Sequence, residues 1–273
     1  MKKCIKKSVL LLLAAVILLA GLPISGWTFE ASADGSGTGK YYEDGYYYDI
    51  EEPEESGGDS YAIITAYDGL FIDGKLEIPS ELGGYAVKII RYGVFMDCTE
   101  LTSVTIPDSV TRIDDTAFGY CTGLTSITIP DSVTSIGDSA FEDCTGLTSV
   151  IFGKNLTSME TSVFRNCTGL TSITLPDGLT IIDDNTFEGC TNLKNITIPD
   201  SVTSIGGDAF SDTAWYDKHS DGDVYAGKVY YKYKGVAPEN LSVTIKEGTK
   251  GIADDAFEDC SGLRNITMPN SIT

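Results

Sequence analysis

Histidine and basic side chains are scarce in this chain. Its 273 residues include a single histidine, His219, and 19 lysines and arginines against 40 aspartates and glutamates. A nucleophile-histidine-acid triad is assembled in space, so the sequence neighbours Asp217 and Ser220 of this histidine do not indicate one. We therefore expect a protein that is not an enzyme and that uses no cofactor.

The shortage of positive charge also narrows the classes of partner. The formal net charge at pH 7 is −21. Residues 1–33 hold four lysines and one glutamate, so a chain without them carries 15 − 39 = −24. A surface of this charge repels phosphate backbones and anionic lipids, which argues against nucleic acid and membrane surfaces as partners.

Long apolar runs are missing except near the N-terminus. Four lysines precede an apolar run over residues 9–22, and an Ala-Ser-Ala triplet follows at residues 31–33. Gly21 and Pro23 interrupt the run, so the pattern is typical of a cleaved signal peptide over residues 1–33 and not of a membrane anchor. We expect a secreted or extracellular cell-surface protein that does not insert into the membrane after cleavage.

The regularity of the sequence lies in a 23-residue repeat. Phenylalanine and cysteine recur at this step at Phe95, Phe118, Phe141, Phe164, Phe187 and Phe210 and at Cys98, Cys121, Cys144, Cys167 and Cys190. Phe257 and Cys260 resume the pattern 47 residues after Phe210, so one unit is expanded and not lost. A fixed period of about 20 to 50 residues indicates an architecture of stacked repeats.

Each unit changes from a strand pattern to a turn pattern. Residues 124–129 alternate apolar and polar side chains, which predicts a short strand, and Pro130 ends it. Asp138 and Ser139 offer an N-cap for a short helical turn. Gly146 follows, where we expect the left-handed backbone that favours glycine.

A single coil of this length cannot bury its own apolar stripe, so the coils must stack. The sequence therefore predicts an α+β repeat fold, a right-handed leucine-rich-repeat solenoid with one short strand and one short helical turn per 23-residue coil. The usual asparagine ladder after the strand is absent, because Ser132 and its equivalents hold that position. Backbone groups at this corner need other partners.

The full pattern L-x-x-I-x-I-P-x-x-V-x-x-I-x-x-x-A-F-x-x-C, present over residues 124–144, resembles the BspA-like (bacterial surface antigen) type of leucine-rich repeat. The resemblance extends from about residue 63 to the C-terminus, and residues 213–235 look like an expanded unit of that family. It implies a secreted or surface-attached bacterial protein that adheres to host matrix proteins or to other cells.

Composition and repeats divide the chain into segments. After the signal peptide, residues 34–59 form an acidic leader rich in glycine, serine and tyrosine, which we expect to be flexible, with its tyrosines pairing with the strand that follows. An N-terminal capping hairpin and first repeat occupy residues 60–100. Leucine-rich repeats occupy residues 101–273, with an expanded, hairpin-containing unit at about residues 211–246. The chain stops in mid-unit, so we expect a truncated product whose last unit frays.

Several clusters allow a metal-binding or catalytic interpretation that the repeat makes unnecessary. The six cysteines after the signal peptide form a row and not a point, so we expect buried free thiols instead of zinc ligands or disulfides. Paired carboxylates such as Asp114 and Asp115 recur at the predicted helical N-cap. Asp221 and Asp223 lack the ligand loop of a calcium site, so we expect a turn there and no metal.

The outward face of the strands is the first candidate partner-binding surface. Small hydroxyl and amide side chains form two columns there, interrupted by Ile151. The candidate residues are Ser103, Thr105, Ser126, Thr128, Ser149, Ser172, Thr174, Asn195 and Thr197. A protein or glycan could bind this face with little desolvation of charge, although serine and threonine also suit an ordinary solvated strand.

The expanded unit is the second candidate surface. Its residues predict a hairpin that turns at Ala226 and Gly227 and carries lysines and tyrosines. The candidate contact residues are Trp215, Tyr216, Lys228, Tyr230, Lys232 and Lys234. A basic, aromatic projection on an acidic rod suits a partner, but the same hairpin could only cover the solenoid, with its lysines protecting an edge strand.

The sequence thus predicts a secreted or cell-surface binding or adhesion protein. Its expected partner is a protein or glycan on a host or neighbouring cell. Two alternatives stay open: a non-catalytic targeting or spacer module of a larger secreted enzyme, and a purely structural surface stalk.

Overall fold

The chain is built almost entirely from short strands. A computed structural model describes residues 40–52, 58–69, 71 and 73–272, and in that part it contains one helix, α1 (Ala214–Asp217). The strands are β1 (Tyr41–Glu43), β2 (Tyr46–Glu51), β3 (Tyr61–Tyr67), β4 (Lys75–Glu77), β5 (Glu81–Leu82), β6 (Tyr85–Ile90), β7 (Ser103–Thr105), β8 (Arg112–Ile113), β9 (Ser126–Thr128), β10 (Ser135–Ile136), β11 (Ser149–Ile151), β12 (Ser158–Met159), β13 (Ser172–Thr174), β14 (Ile181–Ile182), β15 (Asn195–Thr197), β16 (Ser204–Ile205), β17 (Gly222–Ala226), β18 (Val229–Lys234), β19 (Leu241–Thr244), β20 (Gly251–Ile252) and β21 (Leu263–Thr267). The predicted signal peptide lies outside the described residues.

These strands form two faces along a stack of coils. Face A consists of β4, β7, β9, β11, β13, β15, β19 and β21, and face B of β6, β8, β10, β12, β14, β16, β18 and β20. Hydrogen-bonded neighbours within a face run parallel, as β9 does with β11 and β10 with β12. The predicted solenoid of stacked coils is confirmed, with two strands per regular coil where the sequence predicted one. The handedness of the winding stays a prediction.

The tyrosine-rich leader is part of the fold. The prediction that its tyrosines pair with the following strand is confirmed, since β2 lies antiparallel to β3, and β1 to β2, at the end of face B. Tyr46 and Tyr48 are buried. Tyr67 contacts Phe95, the first ring of the phenylalanine column, at a centroid distance of 5.5 Å. Residues 41–51 are therefore strands that cover the end of the core, and the expectation of a flexible leader is wrong for them.

A stack of phenylalanine rings forms the centre of the core. Phe95, Phe118, Phe141, Phe164, Phe187 and Phe210 are fully buried. Successive rings are nearly parallel, with centroids 5.1 to 5.9 Å apart. Each regular coil is named below after its phenylalanine.

The segment around each phenylalanine forms a third inter-coil ladder and not a helical turn. Alternate amides donate to the next coil, as Ser139 N does to Thr161 O and Phe141 N to Val163 O, both at 2.9 Å. Ser139 and Asp143 have φ values of 54° and 56°, so the backbone is left-handed before and after the phenylalanine. The predicted N-cap at Ser139 and the helical turn are therefore wrong. The backbone adopts the conformation that allows inter-coil hydrogen bonds instead of a local helical turn, because these bonds are repeated from coil to coil along the stack.

The glycine that follows four of the six cysteines, at residues 123, 146, 169 and 262, allows close approach between coils. A Cβ at Gly146 would lie 2.5 Å from the carbonyl oxygen of Thr122 in the preceding coil, and one at Gly169 would lie 2.7 Å from that of Leu147. Neither glycine has a positive φ. The predicted left-handed exit is wrong, since the left-handed positions lie on either side of the phenylalanine.

Two threonine ladders link neighbouring coils, at positions other than the one that asparagine usually holds. Thr125 Oγ1 donates to Thr102 O at 3.1 Å, and Thr148 Oγ1 donates to Thr125 O at 3.0 Å. A second ladder joins Thr134 Oγ1 to Thr111 O at the start of face B. Thr125 and Thr148 thus link their coils to the preceding ones at face A, and Thr134 does so at face B.

Both faces are interrupted between the Phe164 and Phe187 coils. No strand pairing joins β11 to β13 or β12 to β14, and the sheets on either side are separate among the described residues. The third ladder continues, because Phe164 N donates to Thr186 O at 3.0 Å. We call this interruption the seam. It is bridged by the third ladder and the ring stack while both sheet faces are open.

The expanded unit inserts a hairpin between two cores. β17 and β18 pair antiparallel around Gly227 and Lys228, which confirms the predicted hairpin with its turn shifted by one residue. Tyr231 packs edge-on against Phe210 at 5.2 Å, on the side of the main core. Tyr230 stacks on Phe257 at 5.0 Å, in a small separate C-terminal cluster. The hairpin therefore supplies a tyrosine to each core.

Candidate partner-binding site

Face A presents the predicted columns of small polar side chains. Ser103 is half-buried and the other eight candidates are exposed: Thr105, Ser126, Thr128, Ser149, Ser172, Thr174, Asn195 and Thr197. Pairing places them side by side, with Ser126 opposite Ser149 and Thr174 opposite Thr197. Residues between them point inward, so that Ile127 is 2% exposed. Each strand thus gives one face to the core and one to solvent.

The columns extend beyond the residues that the sequence singled out. Ser242 and Thr244 of β19 are exposed and lie opposite Asn265 and Thr267 of β21. The signal was available, because residues 242–245, SVTI, match the SITI part of the regular unit after the expanded one. Face A therefore continues on the far side of the hairpin.

The seam opens a cavity in face A. Its volume is about 380 Å³, and it is lined by Thr148, Ser149, Val150, Ile151, Phe152, Ser172, Ile173 and Thr174. Ile151 stands in the column that threonine holds in neighbouring coils and is 59% exposed. Phe152 and Gly153 replace the isoleucine and proline of the preceding unit. The sequence showed Ile151 as an interruption but not the break in pairing beside it.

The aromatic candidates of the expanded unit lie inside the fold. Trp215 is 8% exposed and packs on Phe210 at 4.9 Å, and Tyr230 is fully buried. Tyr216 is half-buried and packs edge-on against Tyr231. The prediction of Trp215 and Tyr230 as contact residues is therefore wrong, because the hairpin lies between coils and its rings fill both cores.

The lysines of this unit differ in availability. Lys234 Nζ donates to the carbonyl oxygens of Tyr216, Asp217 and His219 at 2.8 to 3.0 Å, where α1 ends. Lys232 Nζ lies 3.3 Å from Asp208 and 3.4 Å from Glu258. These side chains stabilise the junction.

Lys228 is the accessible lysine of the three candidates. It is exposed in the hairpin turn, and its carbonyl oxygen accepts the amide of Lys250. Among the candidate lysines of the expanded unit, Lys228 is thus the one whose side chain is accessible to a partner.

The cysteine row is mostly a row of buried thiols. Cys121, Cys144, Cys167 and Cys190 are free and buried, and Cys260 is free and half-buried. Cys144 Sγ donates to Phe118 O at 3.2 Å. Burial raises the pKa of the Cys144 and Cys190 thiols to about 12.

The first cysteine of the row departs from this pattern. Cys98 is disulfide-bonded, so the expectation of six free thiols is wrong at that position. The cysteines stay in a row and their sulfurs do not converge on one point. Among the described residues, no group of three or more potential metal ligands is found.

The carboxylates and the histidine that invited a catalytic interpretation have structural contacts. Asp115 Oδ1 accepts the amide of Asp138 in the next coil at 3.1 Å, so it links coils and does not cap a helix as predicted. His219 Nδ1 lies 2.8 Å from Trp215 O and the ring packs edge-on against the indole. Asp223 Oδ1 accepts the hydroxyl of Tyr230 at 3.0 Å.

Stacked coils, a phenylalanine column and two parallel strand faces define a leucine-rich-repeat solenoid of the bacterial surface-protein type. The chain belongs to the BspA type leucine-rich repeat family, whose model matches residues 88–215 and 233–273 in six copies. No curated protein matches its sequence. No helix within the described ranges is long and apolar enough to cross a membrane.

Two solved structures share the architecture. A leucine-rich cell surface protein of Faecalibacterium prausnitzii is 31% identical, with a TM-score of 0.57, over 83% of this chain and 54% of that one. A leucine-rich repeat protein of T. pallidum is 26% identical, with a TM-score of 0.51, over 59% of this chain and 84% of that one. This chain thus spans about half of the Faecalibacterium protein.

Proposed function

We propose that the chain is a non-catalytic binding module that acts outside a bacterial cell, secreted or at the cell surface, and contacts a protein or glycan of a host or neighbouring cell through face A. The observation that carries the proposal is the exposed, uncharged face of Ser126, Thr128, Ser172 and Thr174 on a chain with a net charge of −21. A partner can cover such a face without desolvating charge. The similarity to a leucine-rich cell surface protein supports this location.

A binding screen with matched charge variants tests this proposal. The purified chain is tested against panels of matrix proteins and glycans. Thr128→Glu and Thr174→Glu add charge to face A and are expected to weaken binding about tenfold or more. Ser158→Glu adds the same charge at an exposed position of face B and serves as the control. Equal loss from all three variants, or none, would contradict the proposal.

A targeting or spacer module within a larger secreted protein is the second candidate. It is favoured by one observation, that this chain spans 54% of the similar Faecalibacterium chain. Absence of binding across both panels would favour this candidate or a structural stalk. A catalytic domain encoded in the same protein would favour the targeting module over the stalk.

A further inference from the structure

We infer that the cavity at the seam holds one large apolar side chain of a polypeptide whose flanking residues are basic. This inference rests on the proposed binding function of face A and adds the chemistry of the partner. It starts from Ile151, which is 59% exposed in a column held by Thr105, Thr128, Thr174 and Thr197 in other coils. An apolar side chain at the centre of a hydroxyl face provides area that a partner can bury.

The cavity beside Ile151 has the size and surface for a side chain. Its volume of about 380 Å³ is near the low end of the range for small-ligand sites. Ile173 in its floor is 5% exposed, and Val150 and Phe152 are partly buried. Serine and threonine hydroxyls surround this apolar floor. A central apolar pocket with a polar rim is typical of contact points in protein interfaces.

The open backbone at the seam favours a polypeptide over a glycan. In the preceding interface Thr148 N donates to Thr125 O, and Ile129 N donates to Ile151 O. Among the described residues, the equivalent bonds from Thr171 N and Phe152 N across the seam are absent. Amides at a strand edge can bond to the main chain of an extended segment while its side chain enters the pocket.

The charge distribution of the chain indicates which residues should flank the inserted side chain in the partner. None of the eight residues that line the cavity is charged, so the pocket itself suits an apolar group. The chain around it carries a net charge of −21. Lysine or arginine beside the inserted side chain would be attracted to this field, whereas acidic flanks would be repelled.

Methyl NMR titration with short synthetic peptides tests the inference. The main probe has a central tryptophan between lysines, and two matched probes replace the tryptophan by serine or the lysines by glutamate. We expect the first to shift the methyl resonances of Val150, Ile151 and Ile173 saturably, and the others to bind about tenfold more weakly. Equal shifts with all three peptides would overturn the inference, and so would a cello-oligosaccharide that shifts the same methyls more strongly.

Two variants separate the seam from the rest of face A. Ile151→Thr restores the column residue of the neighbouring coils and should fold normally while weakening peptide binding about tenfold. Ile181→Ser removes another exposed isoleucine, on face B, and should leave binding unchanged. Unchanged binding in Ile151→Thr overturns the inference. If Thr128→Glu still abolished binding of a whole partner, the proposed function of face A would stand without it.

Discussion

Contacts with the preceding coil determine which residue types occur at some positions of the repeat. Gly146 is required because the carbonyl oxygen of Thr122 lies only 2.5 Å from where a Cβ would be. The equivalent residue two coils later is Asn192, whose Nδ2 donates to Thr168 O at 2.8 Å. The side-chain amide of Asn192 thus donates a hydrogen bond to the carbonyl oxygen that approaches this position. This bond explains how a residue larger than glycine is accommodated in the column.

Gly146→Ala is expected to lower the free energy of unfolding by about 2 kcal/mol or more, because the methyl group forces two backbones apart. Gly146→Asn should cost about 1 kcal/mol less, since its amide can donate to the same carbonyl. The measurement is urea unfolding. Gly248→Ala is the control, with no atom within 4 Å and only the cost of its positive φ, about 1 kcal/mol. Equal losses from alanine and asparagine at position 146 would contradict this account.

The buried thiols make the protein sensitive to alkali. The folded pKa of Cys144 and Cys190 is about 12 and the ordinary value is 9.0. Their stabilisation is therefore complete below pH 9 and is lost as the pH rises towards 12, because the unfolded chain ionises first. At about pH 10.5 each thiol should cost about 2 kcal/mol.

Thermal melts between about pH 8 and pH 10.5 measure this effect. Cys144→Ala should melt lower at pH 8, because a buried atom is lost, but its melting temperature should fall less steeply with pH. Cys260→Ala, at a half-buried position, is the comparison. A slope in Cys144→Ala as steep as that of the parent would show that the thiol does not titrate on unfolding.

At the scale of elements, the hydrogen-bond ladders determine which parts of a coil are bonded to the neighbouring coils. Three sets of inter-coil bonds join most neighbouring coils, through face A, face B and the phenylalanine segment. At the seam the phenylalanine segment continues, reinforced by Arg165, whose Nε lies 2.7 Å from Glu188. The strand pairing of face A and of face B does not continue across the seam.

Hydrogen exchange should report this difference directly. The amides of Phe152 and Thr171 are expected to exchange about 100-fold faster than those of Ile129 and Thr148, which occupy the same columns one coil earlier and are bonded. Amide exchange followed by NMR resolves each pair. Similar protection within each pair would mean that the faces are closed in solution.

One lysine binds the C-terminal end of the short helix α1. Lys234 Nζ satisfies three carbonyl oxygens near its C-terminus and lies 4.8 Å from the ring centroid of Tyr216. Lys234→Met keeps the apolar stem and removes the ammonium, so it should lower the free energy of unfolding by about 1 to 3 kcal/mol. Lys228→Met, in the exposed turn, should unfold like the parent in the same urea titration. Equal midpoints for all three proteins would rule out this role of Lys234.

At the scale of the whole molecule, each coil contacts its neighbours and little else. The main core runs through the ring stack as far as Trp215 and Tyr231, and a second cluster around Tyr230 and Phe257 follows. Stability in such a stack is approximately a sum over coils and their interfaces. The molecule should therefore tolerate a change in length that keeps the period.

Deletion of residues 124–146 removes one complete unit and should leave a folded, less stable solenoid in which Phe118 stacks on Phe164. Deletion of half that unit puts the columns out of register and should abolish cooperative unfolding. Circular dichroism melts distinguish the two. A shortened solenoid as stable as the parent would contradict the additive stack.

The repeat predicts the core well because its columns are copied. The six phenylalanines of the column, and the alternation around Ile127, could be placed from the 23-residue step alone. The helical turn was predicted wrongly because residues 139–144 favour a local turn, whereas bonds to the next coil decide their conformation. A signal for the left-handed backbone was available in part, because Asp97, Asp143 and Asn166 recur two residues after the phenylalanine and both residue types tolerate this conformation.

The candidate site was predictable to a lesser degree. Strand alternation placed Ser126 and Thr128 on an exposed face. The burial of Trp215 and Tyr230 depends on how the hairpin lies between two cores, which sequence spacing does not specify. The seam depends on pairing between coils, and its sequence signal is confined to the substitutions from Ile151 to Gly153.

The seam also has a mechanical consequence. A pull along the stack is shared by three sets of bonds at most interfaces but is carried by the phenylalanine segment alone between the Phe164 and Phe187 coils. The solenoid should therefore extend at a lower force at this interface than at one where all three sets of bonds are present. A rod that tethers a cell to its target would thus have a point of low resistance near its middle, where the cavity lies.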